Sequence, residues 1–262
     1  MKLASSSASY RSAIAAGRLT QLEWLDLCAS DLALDGVLFD ATDFPRTDAD
    51  YAAQLKKMAT DLGLTVAGLV CNITVESDEI PANAAAEHWI AVAWELGAPV
   101  VVTKAWDAAG SSDWNTLVAV NKGWAAEAKR RNVTLTVRNA AATLCASVAD
   151  LKRLAKDVDS SWLRFALDIA ALDPPESVAD ILPKTVIALH DCEAVKGRSH
   201  ERLRQTVEQL EPFRGFFVID DAAADETTLA STVLAVRALI GQHSAHRSGG
   251  GTVVGPGSEA LR

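Results

Sequence analysis

Residues 133–168 read VTLTVRNAAATLCASVADLKRLAKDVDSSWLRFALD. The stretch opens on a β-branched apolar run, VTLTVRN, crosses a segment of helical character and closes on a second apolar run, LRFALD. Strand, helix and strand in about thirty residues is the order and length of a βαβ unit. Outward from this unit the same alternation recurs. Further runs begin near Lys2, Gly36, Thr65, Pro99, Thr185 and Gly215, reading KLASSS, GVLFD, TVAGLV, PVVVTKA, TVIALHD and GFFVID. Most are β-branched and apolar throughout, as parallel strands covered by helices should be. The first is the weakest of the eight.

The intervening segments carry helical stripes: Leu22, Leu25, Cys28 and Leu32; Tyr51, Leu55, Met58 and Leu62; Leu203, Val207 and Leu210. Thr20 and Glu23 have capping-box spacing, and Asp173 before Pro174 and Pro175 can open a helix. Gly63, Gly97 and Asn132 stand where helices should close. Strictly alternating strand and helix implies right-handed crossovers and a parallel sheet. Eight near-equal repeats favour a closed (β/α)8 TIM barrel over an open doubly wound sheet, and no GxGxxG follows the first strand. The expected organisation is one barrel domain over residues 1–245 and a Gly-rich, flexible tail over 246–262.

The chain has 262 residues, 49% hydrophobic and 23% charged, the balance of an ordinary globular core. Its net charge of −9 argues against nucleic acid as a partner, because phosphate binding needs clustered Lys and Arg. No apolar run approaches the ~20 residues that span a bilayer, and the N-terminus has no apolar signal core. Cys28, Cys71, Cys145 and Cys192 form no CxxC pair and read as free thiols, so a cytoplasmic protein is expected.

A barrel places its chemistry at the carboxyl ends of its strands. Those positions hold Asp40, Asp43, Asn72, Lys104, Arg138, Asn139, Asp168, His190, Asp191, Asp220 and Asp221. Side chains alternate along a strand, so the inward sets are expected to be Thr134, Thr136 and Arg138; Val186, Ala188 and His190; and Phe216, Val218 and Asp220. Lys104, Arg138, Asp168, His190 and Asp220 then converge at the mouth.

In order and spacing, DGVLFDATDFP, LGLTVAGLV, LGAPVVV, VTLTVRNAAATLCASVADLKRLAKDV, FALDIAALDP, VIALHDCE and FRGFFVIDD resemble the xylose isomerase-like barrels. This is the sugar phosphate isomerase/epimerase superfamily that also includes endonuclease IV, and the resemblance runs from Leu3 to about Gly241. It implies one divalent metal held by a Glu after strand five, an Asp after strand six, a His on strand seven and a Glu after strand eight. Two of these carboxylates would also serve as acid and base. At the matching positions this chain has Arg138, Asp168, Ala188 (with His190 two residues on) and Asp220. An arginine offers donors only and stays protonated, so it cannot ligate a metal. The expectation is therefore no cofactor, with a metal on Asp168, His190 and Asp220 kept as the alternative. The few histidines and the acidic balance speak against the endonuclease chemistry.

Each candidate has two readings. Arg138 is an oxyanion clamp or a salt bridge to Asp168. Lys104 holds an anion, acts as a Schiff-base nucleophile, or reaches into solvent. His190, with its near-neutral pKa, is an acid/base or a structural histidine bonded to Asp191 or Asp220. Asp168 and Asp220 are an acid/base pair or neutralise cations. The tract Lys196–His200 is a phosphate loop or an exposed basic turn. Trp106, just past Lys104, could stack on a sugar, whereas Trp24, Trp89, Trp94 and Trp124 fall in helices. The resulting expectation is a sugar or sugar-phosphate isomerase/epimerase-like enzyme. Its catalytic residues would be His190, Asp168 and Asp220, and Lys104, Arg138, Asn72 and Trp106 would bind a carbohydrate-like ligand. The competing expectation is a catalytically silent barrel that binds a sugar-like ligand or a partner protein. No membrane contact is expected, and a homo-oligomer is compatible with the sequence.

Overall fold

The computed structural model describes residues 1–71, 81–104, 106, 113–169, 171–172, 178–192, 200–224 and 226–248. Eight parallel strands, β1 (Lys2–Ser6), β2 (Gly36–Asp40), β3 (Thr65–Val70), β4 (Val100–Lys104), β5 (Thr134–Arg138), β6 (Leu163–Asp168), β7 (Thr185–His190) and β8 (Phe216–Ile219), pair in sequence order. β8 returns to β1 through Leu3↔Phe217 and Ala4↔Val218, which closes the barrel and rules out the open sheet. The helices are α1 (Arg11–Ala15), α2 (Gln21–Ser30), α3 (Ala49–Asp61), α4 (Pro81–Leu96), α5 (Trp114–Arg130), α6 (Val148–Val158), α7 (His200–Gln209) and α8 (Glu226–Ser248). The helix expected to open at Asp173 lies outside the described residues. Between β6 and β7 the described residues contain only a 3₁₀ turn, Leu182–Lys184. Helix α8 runs on to Ser248, so residues 246–248 of the expected tail are helical backbone, and 249–262 are outside the described residues.

Local chemistry explains the boundaries. Thr20 and Glu23 form the expected capping box, and Ser147 with Asp150 forms a second. Asp48 and Asp113 cap α3 and α5. Gly63 and Gly97 take positive φ just past α3 and α4, and Asn132 does the same beyond α5. Two apolar layers result. Ala4, Leu38, Val70, Val102, Ala166, Leu189 and Val218 fill the barrel, while Leu25, Leu55, Ile90, Leu151 and Phe217 pack between sheet and helices. Among the described residues no helix is long and apolar enough to cross a membrane.

Two strands depart from simple alternation: in β3, Val37 pairs with Val66 but Leu38 with Gly68, so Ala67 is an extra residue, and β7 holds the departure that bears on the site. Phe165 pairs with Thr185 but Ala166 pairs with Ile187, so Val186 is the extra residue of a bulge. Ile187 and Leu189 consequently face the barrel interior, and Ala188 joins the outer layer. The inward set expected from uniform alternation, Val186, Ala188 and His190, is corrected beyond Val186. Ala188 and His190 do share a face, but it is the one turned toward the helices.

Candidate functional site

Arg138 ends β5 on the inward face above Thr136, which is fully buried. It stands beside Lys104 of β4 in the sheet register. Its guanidinium reaches sideways and across the mouth. Nη2 lies 2.7 Å from Asp168 Oδ2 on the neighbouring strand β6, and Nη1 lies 2.5 Å from Asp220 Oδ2, just beyond β8. All three side chains are mostly buried, with 18%, 15% and 10% exposure for Arg138, Asp168 and Asp220. Burial alone would lower the Arg138 pKa, but the charges of Asp220 and Asp168 outweigh it and the net direction is up. The arginine is therefore a fixed cation.

Asp168 is held on more than its charge. The fully buried Asn139 donates through Nδ2 to the Asp168 carbonyl (2.9 Å) and accepts the Asp168 N–H on Oδ1 (2.7 Å). This side-chain amide continues the β5–β6 ladder past its last backbone rung. Asp168 Oδ1 also accepts the N–H of Ala171 at 3.2 Å.

These groups border a cavity of about 260 Å³ lined by Arg138, Asp168, Ala171, His190, Asp191 and Asp220. His190 contributes to the wall, but it is only 2% exposed and its ring packs edge-on to Phe217 with centroids 5.7 Å apart. Its Nδ1 is 3.7 Å from Asp191 Oδ1, too far for a hydrogen bond. Because the bulge sends His190 toward the outer layer, Asp191 takes the inward position of that strand end.

The structure thus brings together four of the expected residues: Arg138, Asp168, Asp220 and His190. Lys104 is exposed at the rim and is not among the described residues that line the cavity. Trp106 is 9% exposed, packed edge-on to Trp124 in the outer layer, and its carbonyl accepts the N–H of Leu144. It does not reach the cavity as the sequence reading expected. Asn72 and residues 196–199 of the basic tract lie outside the described residues.

A second arginine cluster lies at the ends of β1 and β2. Arg11 Nε contacts Asp43 Oδ1 and Nη2 contacts Asp40 Oδ2, both at 2.9 Å. Ser7 donates to Asp43 Oδ2 (2.7 Å) and accepts the N–H of Asp40 (2.8 Å). Burial raises the Asp43 pKa, although the hydrogen bonds of Ser7 and Arg11 and the charge of Arg11 pull the other way. Ser9 accepts the N–H of Asp221, and Asp221 Oδ2 accepts the N–H of Cys192, which ties β1 to the β7 and β8 ends. Among the described residues, no group of three or more His, Cys, Asp or Glu is placed to hold a metal ion.

A closed parallel barrel with charged groups gathered at its carboxyl end defines the class: a (β/α)8 barrel with its candidate site at the mouth. The chain belongs to the xylose isomerase-like TIM barrel family, whose sequence profile matches residues 28–220. Among solved structures it is similar to an L-ribulose 3-epimerase, with TM-score 0.76 and 17% identity over 98% of this chain and 99% of that one. It is also similar to D-psicose 3-epimerase from Clostridium cellulolyticum H10, with TM-score 0.73 and 15% identity over 94% and 99%. A probable 3-DHS dehydratase, AsbF, from Bacillus anthracis gives TM-score 0.73 and 10% identity over 92% and 99%. At such identities the likeness speaks for the fold. No curated protein sequence matches the chain.

Proposed function

We propose that this barrel is a sugar isomerase/epimerase-like protein that works at its carboxyl-end mouth without the divalent metal of its relatives. The observation that carries the reading is the Arg138 guanidinium held between Asp168 and Asp220. The donor set does not suit a divalent cation. Each aspartate already places one oxygen against a fixed positive charge, the guanidinium has no lone pair to give, and the His190 ring packs on Phe217.

In this reading Arg138 supplies the positive charge beside which an enediolate oxygen develops. Asp220, whose Oδ2 holds the guanidinium, takes the proton next to the substrate carbonyl on its other oxygen, Oδ1. Asp168, across the same cation, enters this cycle as the neutral acid and delivers its proton to the enediolate; it leaves as the carboxylate and Asp220 as the acid, and proton exchange with water resets both. An uncharged sugar suits the cavity better than its phosphate, because Asp168, Asp191 and Asp220 outnumber Arg138 in the lining. The second reading, a silent barrel that only binds a sugar-like ligand, is favoured by the same short contacts. Both carboxylates that would move protons are tied to one arginine.

Incubating the protein with a panel of ketopentoses and ketohexoses in D₂O containing EDTA separates the readings. The enzyme reading expects deuterium to enter next to the carbonyl, and expects Asp220→Asn to abolish it. Saturable binding without exchange supports the silent barrel. Exchange that appears only on adding Mn²⁺ contradicts the metal-independent site.

A further inference from the structure

The described lining of the mouth cavity comes from one half of the barrel. Arg138 belongs to β5, Asp168 and Ala171 to the end of β6 and the turn after it, His190 and Asp191 to the end of β7, and Asp220 to the end of β8. The other half of the mouth, formed by β1–β4, lies across the barrel axis from this lining.

The sheet register fixes what stands there. Followed from strand to strand with the steady stagger that closes an eight-stranded barrel, it sets Leu38, Val102, Ala166 and Val218 at one level of the interior. Two residues further along the same four strands come Asp40, Lys104, Asp168 and Asp220, the next level up, at the mouth. In this ring β4 lies opposite β8, so Lys104 stands opposite Asp220. Strands ~4.8 Å apart and tilted ~36° close a ring ~15 Å across at the backbone, which a ketohexose and a lysine side chain together can span.

The two members of this level on the β1–β4 half differ. Asp40 is buried, and its oxygens are taken by the Thr42 N–H and by Arg11. Lys104 is exposed and makes no ion pair among the described residues. Hydrogen-bonding capacity points the same way. The cavity lining is rich in carboxylate acceptors, and each Nη of Arg138 already donates to an aspartate. A sugar hydroxyl both donates and accepts, so its oxygens need donors here, and an ammonium carries three.

We infer that Lys104 is a substrate-binding residue. It donates to hydroxyl oxygens at the end of a ketose remote from the carbonyl, and so selects ketopentoses and ketohexoses over a three-carbon ketose. The inference rests on the reading of the mouth as a ketose site with the reacting carbon beside Asp220. Its test is affinity, which does not require turnover. D-Psicose, D-tagatose, D-fructose and the three-carbon dihydroxyacetone are titrated against the full chain and followed by chemical shift. Lys104→Met should weaken the tightest-binding hexose about tenfold, the effect of one charge-assisted hydrogen bond at an exposed rim, and change dihydroxyacetone less than about twofold. Lys104→Arg, which keeps the charge and the donors, should restore most of the hexose affinity. Should this pattern hold while no ketose exchanges deuterium, the enzyme reading fails and the assignment of Lys104 stands. Unchanged hexose affinity in Lys104→Met overturns the assignment even where exchange occurs. So do an equal loss for dihydroxyacetone, an equal loss in Lys104→Arg, or no binding by any of the three hexoses.

Discussion

The mouth of this barrel contains the same device twice. Arg138 bridges Asp168 and Asp220 on one side, and Arg11 bridges Asp40 and Asp43 on the other. The surroundings differ. Arg138 extends from a strand into a polar cavity and is 18% exposed, with partners on β6 and just past β8. Arg11 extends from a five-residue helix, is 35% exposed, and shares its aspartates with Ser7. The Arg11 cluster has a hydroxyl to take up hydrogen-bonding capacity and reads as a tie between loop and barrel. The Arg138 cluster closes part of a cavity and leaves carboxylate oxygens beside it. Composition alone does not separate an anchor from a site; the direction of the side chain and the space next to it do.

The comparison can be broken most forcefully at Arg138. Replacing it with Met leaves two mostly buried carboxylates without their counter-charge, and should cost about 3–5 kcal/mol in urea unfolding. A cost near zero would show that the aspartates relax into solvent and that the cavity is not a built site. Asn139→Ala removes two hydrogen bonds from a buried backbone and should cost about 2 kcal/mol. It should also slow any turnover, because Asp168 loses its anchor.

Arg11→Met should cost less, about 1–2 kcal/mol at neutral pH, because the guanidinium is part-exposed and Ser7 still serves Asp43. Its pH dependence is the sharper test. Burial already raises the Asp43 pKa, so the folded chain holds that proton more tightly than the unfolded chain. Stability from this group is present at acid pH and falls as pH rises through the raised value. Removing Arg11 raises the pKa further. The cost should therefore be largest at neutral pH and shrink as pH falls through the carboxylate range, as read from urea midpoints. Lys152→Ala, at the exposed pair with Asp180, should stay within about 0.5 kcal/mol and sets the baseline.

The fold was largely legible because buried parallel strands leave continuous apolar runs. The run expected from Gly36 is β2, and those expected from Pro99, Val133 and Gly215 begin one residue later, at Val100, Thr134 and Phe216. Period-two alternation carried Arg138 and Asp220 to the mouth for the same reason. It failed on TVIALHD, where the extra Val186 leaves no trace in composition yet packs the His190 ring against Phe217, with only part of it at the cavity wall, and brings Asp191 to that wall beside it. Trp106 was misread because position just past a strand does not fix direction, and its ring joined Trp124. Arg11 was missed because its partners lie some thirty residues ahead, beyond the reach of local pattern. Asn139 was visible as a polar residue at a strand end, but its grip on the Asp168 backbone arises only when β5 and β6 pair.

The central claim is that a guanidinium does at this mouth what a metal ion does elsewhere. The direct test is the metal content of the purified chain after equilibration with Mn²⁺ and removal of free ion, read alongside the unfolding midpoint with and without EDTA. The account predicts no stoichiometric metal and an unchanged midpoint in EDTA. A chain that retains stoichiometric Mn²⁺ and loses stability when it is chelated would contradict it.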